Sequence, residues 1–408
     1  MNATRTWRPI AAFVFVLAVP AHGLAQEDAV GKPAPSNVRG KEFPRIHPDR
    51  RVTFRVTAPG AQKVAVVGHA ADSGMNGNTP YEMKKRADGV WEVTTEPVRP
   101  GFHYYQLIVD GHRTTDPASQ TYFGWAQHTS GLEVPDPELD FYEARDVPHG
   151  EVRVRWYRSK TTGQHRQAYV YTPPGYDSNP TLRYPVLYLQ HGSGEDQTSW
   201  TRQGKVNLIM DNLIAEGKAR PMLVVMEQGY AVKAGEPGSP AARSGGGGVA
   251  AAPAQAGNAA FGELVLNDLV PMIDSTYRTL DDRHSRAIAG LSMGAGQAMQ
   301  IGLGNLDRFA SIGSFSGGSR NFDPKTSYGG LFADAKAANG KLDLLWIGCG
   351  TGDRGYAGAT SLHQALEAAG VRHRWFEGPG SHEWQVWRKH LQDFAPRLFR
   401  GSAGRKTL

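Results

Sequence analysis

In Gly290-Leu291-Ser292-Met293-Gly294 a serine stands between two glycines, after an apolar strand-like run at 286–289 and before a helical stretch from about Gly296. G-x-S-x-G is the pattern of a nucleophile elbow, in which small flanking residues permit a sharp turn that lifts the serine oxygen above a sheet. Five letters alone say little in a chain with 49 glycines, and the strand before and helix after give the pattern its meaning. That context also aims a helix N-terminus at the serine, which favours developing negative charge. A serine alcohol attacks poorly unless a base takes its proton, and the base needs a third group to fix its tautomer and stabilise its cation. On such sheets the chain order is serine, acid, histidine. Asp353 follows a strand-like run just past its end, and His382 closes Gly378-Pro379-Gly380-Ser381-His382 between the last strand and a final helix. Ser292, Asp353 and His382 are therefore expected as nucleophile, orienting acid and general base, with Asp268 and Glu383 the next acids should Asp353 fail.

His191-Gly192-Ser193-Gly194 directly follows the apolar run at 185–190. The loop at that place supplies one N–H of an oxyanion hole, and the residue after the nucleophile supplies the other. The expected donors are Ser193 and Met293, with Gly192 permitting the turn and His191 a structural or pocket residue. Trp384, two residues beyond His382, is expected to line the substrate pocket, and Trp387 to pack in the core. Two competing motifs fail. Gly348-Cys349-Gly350-Thr351-Gly352-Asp353 has Asp353 where a dinucleotide fingerprint needs its last glycine, and His382-Glu383 has Val386 where a zinc protease needs its second histidine. The reading calls for no cofactor and no metal. Cys349, the single cysteine, lies in an apolar run and is expected to be buried and inert, so no disulfide forms within the chain.

The elements that must hold these residues are legible as a change of period. From Arg51 to about 136, short alternating runs at 52–56, 64–67, 91–95 and 102–109 are separated by Gly, Pro and Asn turns, and Asp110-Gly111 is a hairpin signal. This predicts a small immunoglobulin-like β-sandwich. Its aromatics Trp91, Tyr104, Tyr105, Tyr122 and Trp125 are expected in core and interdomain packing rather than on a sugar platform. Beyond 150, apolar strands at 168–171, 185–190, 222–226, 286–289, 309–314, 342–348 and 372–376 alternate with amphipathic stretches at 206–216, 263–277, 297–303 and 362–369. That alternation predicts an α/β fold with a mostly parallel central sheet, an α/β-hydrolase. The expected division is a flexible leader at 26–44, a sandwich at 45–136, a linker at 137–150 and the hydrolase at 151–400. Residues 233–258, nearly all Gly, Ala, Pro and Ser, are expected to form a flexible insertion.

At the N-terminus Arg5 and Arg8 precede an apolar run at 10–19, and Gly23 and Ala25 stand where a signal peptidase cuts. Residues 1–25 are expected to be removed on export to the periplasm or medium. The run is about half of the ~20 residues that span a bilayer, and no later stretch is long and apolar enough to span one. The formal charge of +6 over 408 residues comes without any Lys/Arg block, so nucleic acid is not an expected partner.

With these residues in place, the chain resembles carbohydrate esterase family one, the esterase-D-like feruloyl and acetylxylan esterases, preceded by an early-set module of the glycogen-branching type. The resemblance rests on 52–60, 101–117, 149–176 with Tyr171-Thr172-Pro173-Pro174-Gly175-Tyr176, the elbow, 349–353 and Ser381-His382-Glu383-Trp384 with Trp387. It implies a secreted serine esterase that removes feruloyl or acetyl groups from plant cell-wall polysaccharide, with the same three residues in the catalytic roles. Two other readings are open: a siderophore trilactone esterase or acyltransferase with the same triad, and a glycan-binding protein with a relic hydrolase domain. Because the sandwich supplies no triad member, it is expected to act remotely, on polymers, with little bearing on the chemical step. Oligomeric state is not legible.

Overall fold

The computed structural model describes residues 31–69, 73–136, 138–236, 254–317 and 322–401. The expected signal segment at 1–25 and most of the expected insertion lie outside the described residues. No helix among the described residues is long and apolar enough to cross a membrane.

The C-terminal part is built on an eight-stranded sheet of β1 (Glu151–Ser159), β2 (Gln164–Thr172), β3 (Val186–Gln190), β4 (Leu223–Glu227), β5 (Arg286–Leu291), β6 (Ser311–Phe315), β7 (Leu344–Gly350) and β8 (Arg374–Gly378). Their spatial order is β1-β2-β4-β3-β5-β6-β7-β8, antiparallel across the first two pairings and parallel from β4 onward. The helices are α1 (Val206–Ala215), α2 (Ala254–Leu264), α3 (Val270–Thr276), α4 (Met293–Gly304), α5 (Ala335–Lys341), α6 (Tyr356–Ala368) and α7 (Trp384–Phe394), and a π-helical turn (Val265–Leu269) joins α2 to α3. Strands β3 to β7 are buried along their whole length, which is why they read as unbroken apolar runs. Period-two alternation sends Val186, Tyr188, Ile288, Ile312 and Ile347 into one core beneath α2, α3, α4 and α6. Leu187, Leu189, Ala289 and Trp346 face the opposite core beneath α1 and α7.

The N-terminal part is a sandwich of two antiparallel sheets, one five-stranded and centred on Val52–Thr57 and Val90–Thr94, the other six-stranded and centred on Gly101–Val109 and Gln127–Val134. Phe54 meets Tyr105 edge-on between them at 5.1 Å. Asp110-Gly111 forms the expected two-residue hairpin, Val109 pairing with His112 and both turn residues at positive φ (48° and 85°).

Three expected segments differ from what the structure shows. The leader at 26–44 is not loose over its described residues 31–44: Lys32–Pro33 pairs with Arg45–Ile46, and the Ser36 hydroxyl accepts from the Glu133 N–H. The linker at 137–150 is anchored by buried Phe141 and Tyr142, and the Asn212 amide donates to the carbonyls of Phe141 and Glu143 at 2.9 Å each. Helix α2 begins at Ala254, before the expected end of the insertion, because Phe261 and Leu264 fix it in the core.

The sandwich is packed on the hydrolase. Phe102, Tyr104 and Tyr122 join the same core as α1 and α7, while Tyr105 and Leu107 turn the other way into the sandwich. Strand Gly101–Val109 is thus buried on both faces from Gly101 to Leu107. Arg388 on α7 is fully buried and meets Glu133 of the sandwich through two parallel bonds of 2.7 and 2.8 Å, with the Tyr142 ring 4.4 Å away. A bidentate guanidinium–carboxylate pair of this kind fixes orientation as well as distance.

Candidate active site

Ser292 sits between the end of β5 and the start of α4 with φ 53° and ψ −113°. A non-glycine residue there carries strain on the order of 1–3 kcal/mol, held in place only by its surroundings. The surroundings explain the two glycines of the pattern. A Cβ on Gly290 would lie 2.5 Å from the Gly294 backbone, and one on Gly294 would lie 2.5 Å from the His191 carbonyl oxygen. The turn closes only if both positions lack side chains. Helix α4 starts at Met293, earlier than the sequence suggested, so its N-terminus points directly at the serine.

The Ser292 hydroxyl donates to His382 Nε2 at 2.8 Å, and His382 Nδ1 donates to Asp353 Oδ2 at 2.7 Å. Asp353 lies on the loop after β7 and His382 on the loop after β8, so the ends of β5, β7 and β8, all on one edge of the parallel sheet, bring the groups together. The second oxygen of Asp353 accepts from the Gly355 N–H at 2.8 Å. Burial opposes ionisation of Asp353, but the bonds from His382 and Gly355 outweigh it and hold the carboxyl below its ordinary value. The alternatives named from sequence are elsewhere engaged. Asp268 accepts from the Ser159 hydroxyl and the Thr161 N–H, and Glu383 accepts from the Ser381 N–H. Cys349 is buried and its thiol is pushed up to about 12 by that burial, which leaves it inert at neutral pH.

The loop after β3 is pinned at every residue but one. The Gly192 N–H donates to Glu195 Oε2 at 3.2 Å, the Glu195 N–H to the Gly192 carbonyl, and the Gly194 N–H to the Tyr230 hydroxyl. Ser193 is the position whose N–H has no acceptor among the described residues, as has Met293 at the first turn of α4. Both N–H groups are thus left free for a ligand, as an oxyanion hole requires of its donors. Gly192 is thus a turn residue with its own N–H already spent.

His191 does not reach the substrate side. It is 1% exposed, donates from Nδ1 to the Gly192 carbonyl and accepts at Nε2 from the Gly229 N–H. Burial lowers its pKa, in keeping with a neutral ring that braces two loops. Trp384 lines the small cavity beside His382, yet its indole N–H is bonded to the Tyr104 hydroxyl and Glu195, so it is a frame for the site rather than a free surface. Trp387, expected in the core alone, stands edge-on to the His382 ring at 5.1 Å.

The cavity is also bounded by the sandwich. His69, Phe102, Tyr104 and Trp125 line it together with Glu195, His382, Trp384 and Trp387. The sandwich therefore walls the cavity beside His382, because strand Gly101–Val109 and the tip after Thr121–Gly124 pack directly on α7 and the loop after β3. Glu195 is the residue that sequence reasoning missed. It accepts from Tyr104, Trp384 and Gly192, tying the sandwich, α7 and the oxyanion loop to one carboxyl, and nothing local in the sequence marks it.

Residues 159–398 match the esterase family described as "Putative esterase", and residues 43–122 match carbohydrate-binding module 48, the isoamylase N-terminal domain. A protein of Xylanibacter ruminicola named endo-1,4-beta-xylanase/feruloyl esterase is 37% identical over 383 residues, 92% of this chain and 48% of that protein. An esterase of Mycobacterium tuberculosis is 29% identical over 174 residues, 42% of this chain and 34% of its own. The chain spans about half the length, or less, of these curated relatives. Among solved structures, a ferulic acid esterase from the anaerobic fungus Anaeromyces mucronatus aligns with TM-score 0.53 at 24% identity, over 66% of this chain and 97% of the other. The enterobactin esterase of Shigella flexneri aligns with TM-score 0.61 at 20% identity, over 86% and 93%. At those identities the two structures speak for the fold.

Proposed function

Since the chain belongs to the esterase family and carries an N-terminal module of the carbohydrate-binding module 48 type, we propose that it is an exported serine carboxylic-ester hydrolase that removes feruloyl or acetyl groups from xylan. The observation that carries the chemistry is the unbroken hydrogen-bonded line from Ser292 through His382 to Asp353 at a strained elbow. The substrate class draws on the relative named xylanase/feruloyl esterase, which aligns along nearly the whole chain.

In this reading His382 Nε2 takes the Ser292 proton as Oγ attacks the acyl carbon. The carbonyl oxygen becomes an oxyanion held by the N–H groups of Ser193 and Met293, aided by the α4 N-terminus. As the tetrahedral adduct collapses, the bond to the sugar oxygen breaks and His382 returns the proton to that oxygen. Water then attacks the acyl-serine, its proton passing to His382, and a second collapse releases the acid and restores Ser292. Asp353, ionised and bonded to Nδ1, holds the tautomer and stabilises the imidazolium in both halves. No step calls for a cofactor or a metal.

The test is product analysis with the purified protein on feruloylated xylan, acetylated xylan and a p-nitrophenyl ester. Release of ferulate or acetate from polymer is the expected result. Cleavage of the p-nitrophenyl ester alone would contradict the polysaccharide assignment, and no cleavage of any of the three would contradict the esterase assignment.

A further inference from the structure

The loop after β3 is a four-residue turn that is closed twice. The Glu195 N–H donates to the Gly192 carbonyl at 3.3 Å, and the Glu195 carboxyl reaches back to accept from the Gly192 N–H at 3.2 Å. Gly194 has φ +80°, which a type II turn requires at its third position. The turn lies directly on the nucleophile elbow: a Cβ on Gly192 would stand 2.6 Å from Leu291 Cδ1 and 3.5 Å from Ser292 Cβ. Ser193 is the residue between the two glycines, so the direction of its free N–H is decided by what holds its neighbours.

Gly194 is held at its carbonyl by the Ala126 N–H at 2.7 Å and at its own N–H by the Tyr230 hydroxyl. Gly192 is held at its carbonyl by His191 Nδ1 and at its N–H by the Glu195 carboxyl. That carboxyl is itself fixed from outside the loop. Its other oxygen accepts from the Tyr104 hydroxyl and from the Trp384 indole N–H, each at 3.1 Å. The Tyr104 hydroxyl in turn accepts from Gln203 Nε2 at 2.8 Å, which also donates to the Phe123 carbonyl at 3.0 Å. Trp384 stands two residues beyond His382. One buried carboxyl is thus anchored from the sandwich and from α7, and a satisfied buried network of this kind holds its members rigidly.

We propose that Glu195 is the positioning residue of the oxyanion hole, its carboxyl setting the Ser193 N–H relative to Ser292 and His382. Glu195 acts through Gly192 and touches no reacting atom. The other donor, Met293, needs no such device, because it is the first residue of α4 and the helix fixes it. The loop donor has no helix behind it and depends on the carboxyl. An oxyanion donor works only where it is already aimed at the developing charge, and a misplacement of about 1 Å can cost ~10²-fold in rate. The inference rests on the reading of the chain as a serine esterase. It gives the sandwich, through Tyr104, a share in the chemical step.

The experiment measures the acylation rate constant and the substrate dissociation constant for a p-nitrophenyl ester in single turnover, then repeats both with the ester whose carbonyl oxygen is replaced by sulfur. Sulfur accepts hydrogen bonds weakly, so the oxygen-to-sulfur ratio of acylation rates reads the alignment of the donors and not the stability of the fold. Glu195→Ala is expected to slow acylation by the oxygen ester roughly tenfold to a hundredfold, with little change in the dissociation constant, and to lower the ratio at least about fivefold. In Glu195→Gln the amide oxygen can still accept from the Gly192 N–H and the amide NH2 can donate to the Tyr104 hydroxyl, so rate and ratio should return to within about threefold of the wild type. Tyr104→Phe keeps the carboxyl but removes the sandwich's donor; it should lower the ratio too, and it decides the matter if thermal unfolding shows that Glu195→Ala does not fold. Wild-type acylation in folded Glu195→Ala, a slower rate at an unchanged ratio in either variant, or a Glu195→Gln no better than Glu195→Ala overturns the positioning role and leaves the esterase reading intact. A wild type that does not cleave the p-nitrophenyl ester overturns the esterase reading first, and the role of Glu195 with it.

Discussion

Asp353 and His382 are one bond apart in the hydrogen-bonded line but differ in what their loss removes. Asp353→Asn keeps the shape and loses the charge that fixes the His382 tautomer, whereas His382→Ala removes the base. On the Ser-His-Asp template an Asp to Asn change costs about 10⁴ in kcat, and loss of a nucleophile or base on the order of 10⁶. Steady-state kinetics on a soluble ester should show Asp353→Asn well above His382→Ala and far below the wild type. Equality of Asp353→Asn with the wild type would point to another acid. Glu195 offers a test by pH. Burial raises its carboxyl to about 7 against an ordinary 4.5, opposed by its bonds from Gly192, Tyr104 and Trp384. Between pH 4.5 and 7 the folded protein keeps a proton that the unfolded chain releases, so this group makes stability fall as pH rises through that window. Glu195→Gln has no such proton. The difference in Tm, variant minus wild type, should therefore climb from pH 4.5 to 7 and level off beyond; a flat difference would show that the carboxyl is not held protonated.

At the scale of elements the site depends on how closely β5, the loop after β3 and α4 approach one another. Gly294→Ala would put a methyl group against the His191 carbonyl, and the elbow would have to open. The expected result is a protein destabilised by about 1–3 kcal/mol in urea with most of its esterase activity gone; wild-type activity would mean that the turn tolerates a Cβ. This is also the scale at which the sequence was most readable. The elbow and Asp353 each follow a buried strand whose apolar run is continuous, and His382 follows a short strand and a Gly-Pro-Gly turn, so local pattern located them. Strand β1 was not anticipated, because as an edge strand it leaves Val154 and Trp156 exposed and shows no buried run. Trp384 lines the cavity and Trp387 packs in the core as expected, but Trp387 also lines the cavity and Trp384 is itself buried. Their roles depend on what Tyr104 and Glu195 offer from sequence-distant elements, and spacing along one helix carries no record of that.

For the whole molecule the decisive contact is between the sandwich and α7, which carries Trp384, Trp387 and Arg388 just beyond His382. Glu133→Ala would leave the fully buried Arg388 guanidinium without its carboxylate. Breaking a buried pair by removing one partner costs about 3–5 kcal/mol, and urea denaturation should show a loss of that size. Activity on a small ester should fall too, since α7 positions the ring against His382; a variant with wild-type stability would mean that the interface is open to water. Interdomain packing of the sandwich aromatics was expected from sequence, but not which residues would make it. Alternation could place one of Tyr104 and Tyr105 in a core, but which second core the other would enter depends on a surface more than fifty residues away. If one serine does the chemistry, covalent labelling reads it out. A fluorophosphonate probe, added in stoichiometric amount, should abolish hydrolysis and leave a single phosphonyl group on the peptide containing Ser292. An adduct on another residue, or full activity in protein labelled at Ser292, would contradict it.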